Sequence, residues 1–174
     1  MLFVPETFDL NIRNILVPVD YSEYSKLAAE AALALSKPLD SDVVHLTNIY
    51  TVPEGYYRLG ETYEEASAVM RGYAEEDYKK FAATLEGVHE NEVRAHFVDP
   101  KLEHKDLVIK EKLKEFDCQL LVMGSKGRTD LSAMFMGSLK EKLIQEDLGM
   151  PIMVIKKRQK NMGFLDALLQ IGRI

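Results

Sequence analysis

An open, five-stranded parallel α/β sheet with helices on both faces is the fold class this sequence predicts, and three observations predict it. Five short apolar runs alternate with four helical patterns, giving the order β-α-β-α-β-α-β-α-β. Strands separated by helices imply a parallel sheet with right-handed crossovers. Most of the runs are continuously apolar rather than alternating, as strands covered on both sides must be. No internal repeat is visible and no boundary falls before Lys156. Residues 1–156 therefore read as a single α/β domain, and 157–174 as a basic linker with a short amphipathic tail.

The elements follow in order. NILVPV (14–19) is a buried β-branched strand ending near Pro18 and Asp20. Ser22 is placed to cap a helix carrying Leu27, Ala28, Ala31, Ala32 and Leu35, which Lys37 and Pro38 stop. DVVHLTNIY (42–50) is the second strand, and 51–61 is a loop with proline, glycine and two adjacent tyrosines. A long polar-faced helix runs from Thr62 to about Glu86, interrupted only by Gly72. NEVRAHFV (91–98) alternates, so the third strand is expected to be less covered than the others. Leu107, Ile109 and Leu113 are read as one face of a helix over 103–116. QLLVM (119–123) is the fourth strand, a helix continues to about Asp147, and IMVI (152–155) is the fifth strand. In the tail, Phe164, Leu165, Leu168, Leu169 and Ile171 form an apolar stripe too short to be a stable helix alone, so it must dock on its own domain, on a protein partner or on a membrane surface.

Composition narrows the function. A net charge of −6 argues against a domain built to grip nucleic-acid phosphates. One cysteine, Cys118, excludes an internal disulfide and a cysteine-based zinc site, and its apolar strand marks it as a small buried hydrophobe. His45, His89, His96 and His104 lack metal-ligand spacing, so no protein-held metal is expected. No apolar stretch reaches membrane-spanning length, and the first ten residues lack a basic signal-peptide region. A cytoplasmic protein is the expectation.

The informative stretch is MGSKGRTDLSAMFMGSLKEKL (123–143), with the spacing G-x2-G-x9-G-S at Gly124, Gly127, Gly137 and Ser138. Gly124 and Gly127 would allow positive φ and close approach of backbone N–H groups to a ligand. Gly137 and Ser138 fall where a helix starts, and Leu139 and Lys140 continue it. Free N–H groups and the positive end of the helix dipole stabilise phosphate at such a place. Lys126, Arg128 and Lys140 could add positive charge. In a doubly wound sheet of order such as 3-2-1-4-5, the ligand crevice lies outside strands one and four. The first ends in Pro18, Val19 and Asp20, the fourth in Met123 and Gly124. Neither a Walker A pattern nor a Rossmann glycine fingerprint is present.

The strand ILVPVD followed by SEYSKLA, the segment LLVMGSKGR, the full glycine spacing and the closing PIMVIK resemble the ATP-binding branch of the universal stress protein family over about residues 13–156. The resemblance implies a five-stranded parallel domain of order 3-2-1-4-5 that binds ATP or ADP, with Mg2+ or Mn2+ held through the nucleotide. It also implies a homodimer paired through the last strand. By position, Pro18, Val19 and Asp20 would line the nucleoside side, with Asp20 near the ribose, and Asn48 would meet adenine through its backbone. Gly124, Lys126, Gly127, Gly137 and Ser138 would surround the phosphates; Met123, Arg128, Leu139 and Lys140 complete the candidate set. Two positions depart from the pattern. Lys140 stands where similar proteins often have a small hydroxyl residue, and Asp99 where many have glycine.

No general base is evident near the phosphates, because 123–129 holds no Glu, His or Asp. No catalytic residue is assigned. The expected function is a nucleotide-dependent regulatory module in the stress response, with at most slow hydrolysis. A partner-dependent ATPase and a nucleotide-free protein acting through its dimer surface are the alternatives.

Overall fold

The computed structural model describes residues 1–6, 11–86, 93–101, 104–125, 142–146 and 148–156. Six strands form one mixed sheet: β1 (Leu2–Phe3), β2 (Asn14–Pro18), β3 (Val43–Ile49), β4 (Val93–Val98), β5 (Leu120–Gly124) and β6 (Ile152–Ile155). Their spatial order is β1-β6-β5-β2-β3-β4. The five predicted strands are β2 to β6, they are parallel, and they stand in the expected order 3-2-1-4-5.

The expectation of a purely parallel five-stranded sheet is corrected by β1. It pairs antiparallel with β6, Leu2 opposite Met153 and Phe3 opposite Ile152. Two residues carry no periodicity, so the sequence held no strand signal there. The physical reason for the strand is the edge itself, since an outer strand presents unpaired N–H and C=O groups that another segment can satisfy.

Among the described residues, helices α1 (Glu23–Ser36), α2 (Tyr63–Ala82) and α3 (Lys105–Glu115) accompany the sheet. Ser22 caps α1 as expected, its side chain accepting from the Ser25 amide. Thr62, expected as the first helical residue, instead caps α2 in a reciprocal capping box with Glu65. The face that α1 buries is Ser25, Ala28, Ala29, Ala32, Leu33 and Ser36, a stripe of mostly small side chains that lets the helix lie close on the sheet.

Alternate residues of each strand point to opposite layers. Ile15, Val17, Val44, Leu46 and Val122 join Ala28, Ala32 and Phe81 in one core. Leu16, Leu121, Met123 and Val154 join Ile109, Leu113, Cys118 and Leu143 in the other. Burial of Cys118 in that second layer pushes its thiol up to about 12, in keeping with an inert small hydrophobe. One reading of α3 fails. Leu107 is 48% exposed, whereas Asp106, Val108, Ile109 and Leu113 are buried. Leu107 and Ile109 are two residues apart, which turns them to opposite sides of a helix. Residues 142–145 are helical, and Lys142 meets Asp106 at 3.3 Å while Leu143 is fully buried. As expected from its alternation, β4 is only partly covered.

Candidate functional site

Chain order reverses between β2 and β5, which is where a doubly wound sheet opens toward a ligand. The opening has a local cause. The Asn14 carbonyl accepts from Gln119 on the β5 side, whereas the Val19 amide donates to Thr47 on the β3 side. Alternate residues Asn14, Leu16 and Pro18 therefore turn their backbone toward β5. The nitrogen due to make the next rung is that of Pro18, which has no hydrogen. The β2–β5 register accordingly runs only through Ile15 with Leu120 and Leu16 with Leu121. On the flanks, pairing continues to Pro18 with Thr47 and to Gly124 with Ile155. The sheet is thus unlaced at one seam, at the carboxyl ends of its two central strands.

The described candidates gather around this seam. Pro18 ends β2, with Val19 and Asp20 directly after it; Met123 and Gly124 end β5; Asn48 lies on the neighbouring β3. Asn48 is buried and its side-chain amide donates to the Val19 carbonyl at 2.8 Å, tying β3 to the end of β2. Asp20 accepts from the Ser22 amide at 3.1 Å. Next to it Tyr21 adopts φ 62°, a left-handed conformation that costs a non-glycine residue about 1–2 kcal/mol. Tertiary contacts hold it there. The Tyr21 hydroxyl donates to the Ala74 carbonyl at 2.8 Å, and its ring packs 5.3 Å from Phe81. Burial, with Asp77 and Tyr78 nearby, raises its pKa. The result is a fixed, sharp exit from β2.

The expectation of positive φ at Gly124 is corrected: the residue does not have it. A Cβ on it would lie 2.8 Å from the Tyr24 carbonyl oxygen, so the absence of a side chain lets the start of α1 seat against the end of β5. Lys126, Gly127, Arg128, Gly137, Ser138, Leu139 and Lys140, the expected phosphate side, lie outside the described residues.

Asp99 has a definite place. Its carboxylate accepts from Tyr63 at 2.7 Å, from the Lys101 amide at 2.8 Å and from Ser67. Partial burial works to raise its pKa, but these hydrogen bonds outweigh burial and hold the carboxyl below its usual range. The bond to Asp99, with burial adding to it, raises the Tyr63 phenol to about 12. Tyr50 shares Ser67 at 3.1 Å, and Tyr56 packs edge-on to Tyr63 with centroids 5.7 Å apart. Asp99 therefore clamps the end of β4 to the first turns of α2, a role the sequence did not reveal because its partners lie 32 and 36 residues away.

Sequence reasoning also missed a histidine pair. His45 on β3 and His96 on β4 meet at 2.9 Å, Nδ1 to Nε2, and both stack on Phe116 at centroid distances of 4.6 and 4.1 Å. Burial first, then His96 and Arg94, lowers His45 to about 4. His96 is lowered by burial and by Lys112 and Arg94, against an upward pull from Glu115. His45 and His96 are each other's hydrogen-bond partner. Among the described residues no cluster of three or more His, Cys, Asp or Glu could hold a metal ion.

Fold and seam together define an α/β protein of the doubly wound class whose two central strands part at the β2–β5 switch point. The chain belongs to the universal stress protein family, whose model matches residues 11–155. It is 29% identical over 160 residues to a universal stress protein of Methanocaldococcus jannaschii, covering 85% of this chain and 84% of that protein. A putative universal stress protein of Staphylococcus aureus is 26% identical over 140 residues, covering 78% and 80%. Among solved structures, the hypothetical protein MJ0577 superposes with a TM-score of 0.60 at 22% identity, over 86% of this chain and 99% of that one. A universal stress protein family member from Burkholderia pseudomallei gives 0.54 at 18% identity, over 86% and 98%. These likenesses establish the fold.

Proposed function

We propose that this chain is an ATP-binding regulatory module of its family, acting through nucleotide-dependent association in the cytoplasm, with slow hydrolysis at most. The observation that carries this reading is the unlaced β2–β5 seam, which leads directly into the G-x2-G-x9-G-S segment. Pro18, Val19 and Asp20 would form the nucleoside wall, with the Asn48 backbone toward the base. Gly124, Lys126, Gly127, Gly137 and Ser138, with Met123, Arg128, Leu139 and Lys140 beside them, would hold the phosphates. Bound ATP or ADP would bring a divalent cation, Mg2+ or Mn2+, that neutralises phosphate charge. Asp99 would take no direct part, since three donors already engage its carboxylate.

Copies of the chain would associate through the last strand, and the C-terminal tail offers a contact for a protein partner. Among the described residues no helix is long and apolar enough to cross a membrane. The test is calorimetric titration with ATP·Mg, together with mass spectrometry of small molecules released from the purified protein. Saturable binding, or ATP or ADP at near-stoichiometric yield, supports the reading. Gly127→Asp is expected to abolish binding without unfolding the domain; normal affinity in that variant would show that the phosphates sit elsewhere.

A further inference from the structure

We propose that Tyr21 is a positioning residue that ties the wall of the candidate site to α2, so that a helix contributing no candidate contact sets how well nucleotide binds. The effect on affinity rests on the nucleotide-binding reading; the effect on the Asp20 turn does not.

Glycine adopts φ 62° without cost, whereas a bulky residue is rare there. A tyrosine persists in that conformation only where its surroundings over-determine it. Here α2 does so. The Tyr21 hydroxyl donates to the Ala74 carbonyl, 53 residues along the chain, and the ring meets Phe81. Ala74 and Phe81 are both buried, and Asp99 holds the first turns of the same helix through Tyr63 and Ser67. The far end of this strut is therefore fixed.

On the near side, the Asn48 side-chain amide holds the Val19 carbonyl. Asp20 lies between the two ties, and its carboxylate accepts from the Ser22 amide, one residue beyond Tyr21. Relaxing Tyr21 to negative φ rotates the chain between that carboxylate and that amide and parts them. The strained conformer is thus the one that holds Asp20 in its turn, and any population outside it lowers the apparent affinity in proportion. The Tyr21 ring leads away toward α2, so it acts through Asp20 rather than by touching a ligand.

Amide exchange measured by NMR on the nucleotide-free full chain tests the turn. Tyr21→Val removes both contacts and places a β-branched residue at positive φ, so Ser22 is expected to exchange about five- to thirtyfold faster than in the parent. Tyr21→Asn also removes both contacts but tolerates the left-handed region, so its Ser22 should exchange more slowly than in Tyr21→Val. A role in packing alone would reverse that order, because valine keeps more apolar contact with Phe81 than asparagine does. Calorimetric titration with ATP·Mg tests the affinity. Tyr21→Phe keeps the ring and loses only the hydroxyl bond, and its affinity is expected to fall about threefold to tenfold. Tyr21→Val should bind most weakly and Tyr21→Asn between the two. Where Tyr21→Val does not fold, Ser22 exchange in Tyr21→Phe is read in its place, and it should be faster than in the parent. Absence of ATP binding in the parent would remove the nucleotide reading and leave Ser22 exchange to decide on the strut. Equal Ser22 exchange in the parent and the folded variants, the reversed order, or parental ATP affinity in Tyr21→Phe and Tyr21→Asn would each overturn the proposal.

Discussion

Two acids stand just past strand ends in this sheet, and the molecule treats them differently. Asp99, after β4, is met by two hydroxyls from α2 and by the Lys101 amide. Asp20, after β2, bonds within its own turn to the Ser22 amide and stands at the seam where β2 and β5 part. Position at a strand end does not by itself make an acid a ligand contact. The hydroxyls that hold Asp99 come from a helix 32 and 36 residues earlier in the chain, and only tertiary packing brings them to the carboxylate.

The strongest way to break the comparison is to destroy the seam on which Asp20's role depends. Gly124→Val puts carbon where the Tyr24 carbonyl oxygen is 2.8 Å away, and backbone cannot yield as a flexible side chain would. A loss of about 3 kcal/mol is expected, at the upper end of overpacking costs, with ATP binding lost alongside. Urea denaturation and calorimetry check it. An unchanged midpoint would mean that α1 does not seat on β5 as described.

Asp99→Ala comes next, with a loss of about 1–2 kcal/mol, because Tyr63 and Ser67 lose a charged acceptor at a partly exposed site. Tyr63→Phe should lose less than half of that. Neither should alter ATP affinity; a large fall in affinity with intact stability would return Asp99 to the site.

Acid sharpens the same contrast. Asp99 is depressed below its ordinary value, so its contribution is present above the unfolded pKa and is lost as pH falls through the folded one. His45 acts in the same direction by the opposite chemistry. Its folded pKa is about 4 against 6.5, so the unfolded chain binds the extra proton and stability falls as pH drops from 6.5 toward 4. Denaturant midpoints between pH 7 and pH 4 should fall in the parent and flatten over that window in His45→Phe. An equal slope in both would remove the histidine pair from the account.

The smallest expected change in stability is that of Asp20→Asn. Asparagine also accepts from the Ser22 amide, so stability should shift by no more than about 0.5 kcal/mol. ATP affinity should fall while folding is unchanged, which no variant at Asp99 is expected to do. Equal affinity in parent and variant would remove Asp20 from the nucleotide wall.

Where the sequence was legible, the signal was local. NILVP, LLVMG and IMVI declare themselves as buried strands by their apolar runs, VVHLTNI by its β-branched residues, and Ser22 declares its helix start by the chemistry of capping. The glycine spacing marked Gly124 as special, but the positive φ it suggested is absent, and the close approach found there is to the Tyr24 carbonyl. Leu107 misled because hydrophobicity alone does not say which way a helix turns. β1 was invisible, since two apolar residues acquire meaning only beside an unpaired strand edge.

By itself, then, the sequence determined the kinds of element, their order and the switch point, because apolar periodicity, capping and the missing N–H of Pro18 act within a few residues of chain. The Asp99 clamp, the His45–His96 pair and the closure of β6 by β1 were decided only in the tertiary structure. Each joins groups tens of residues apart or more, and burial and hydrogen bonding between such groups exist only once the sheet has assembled.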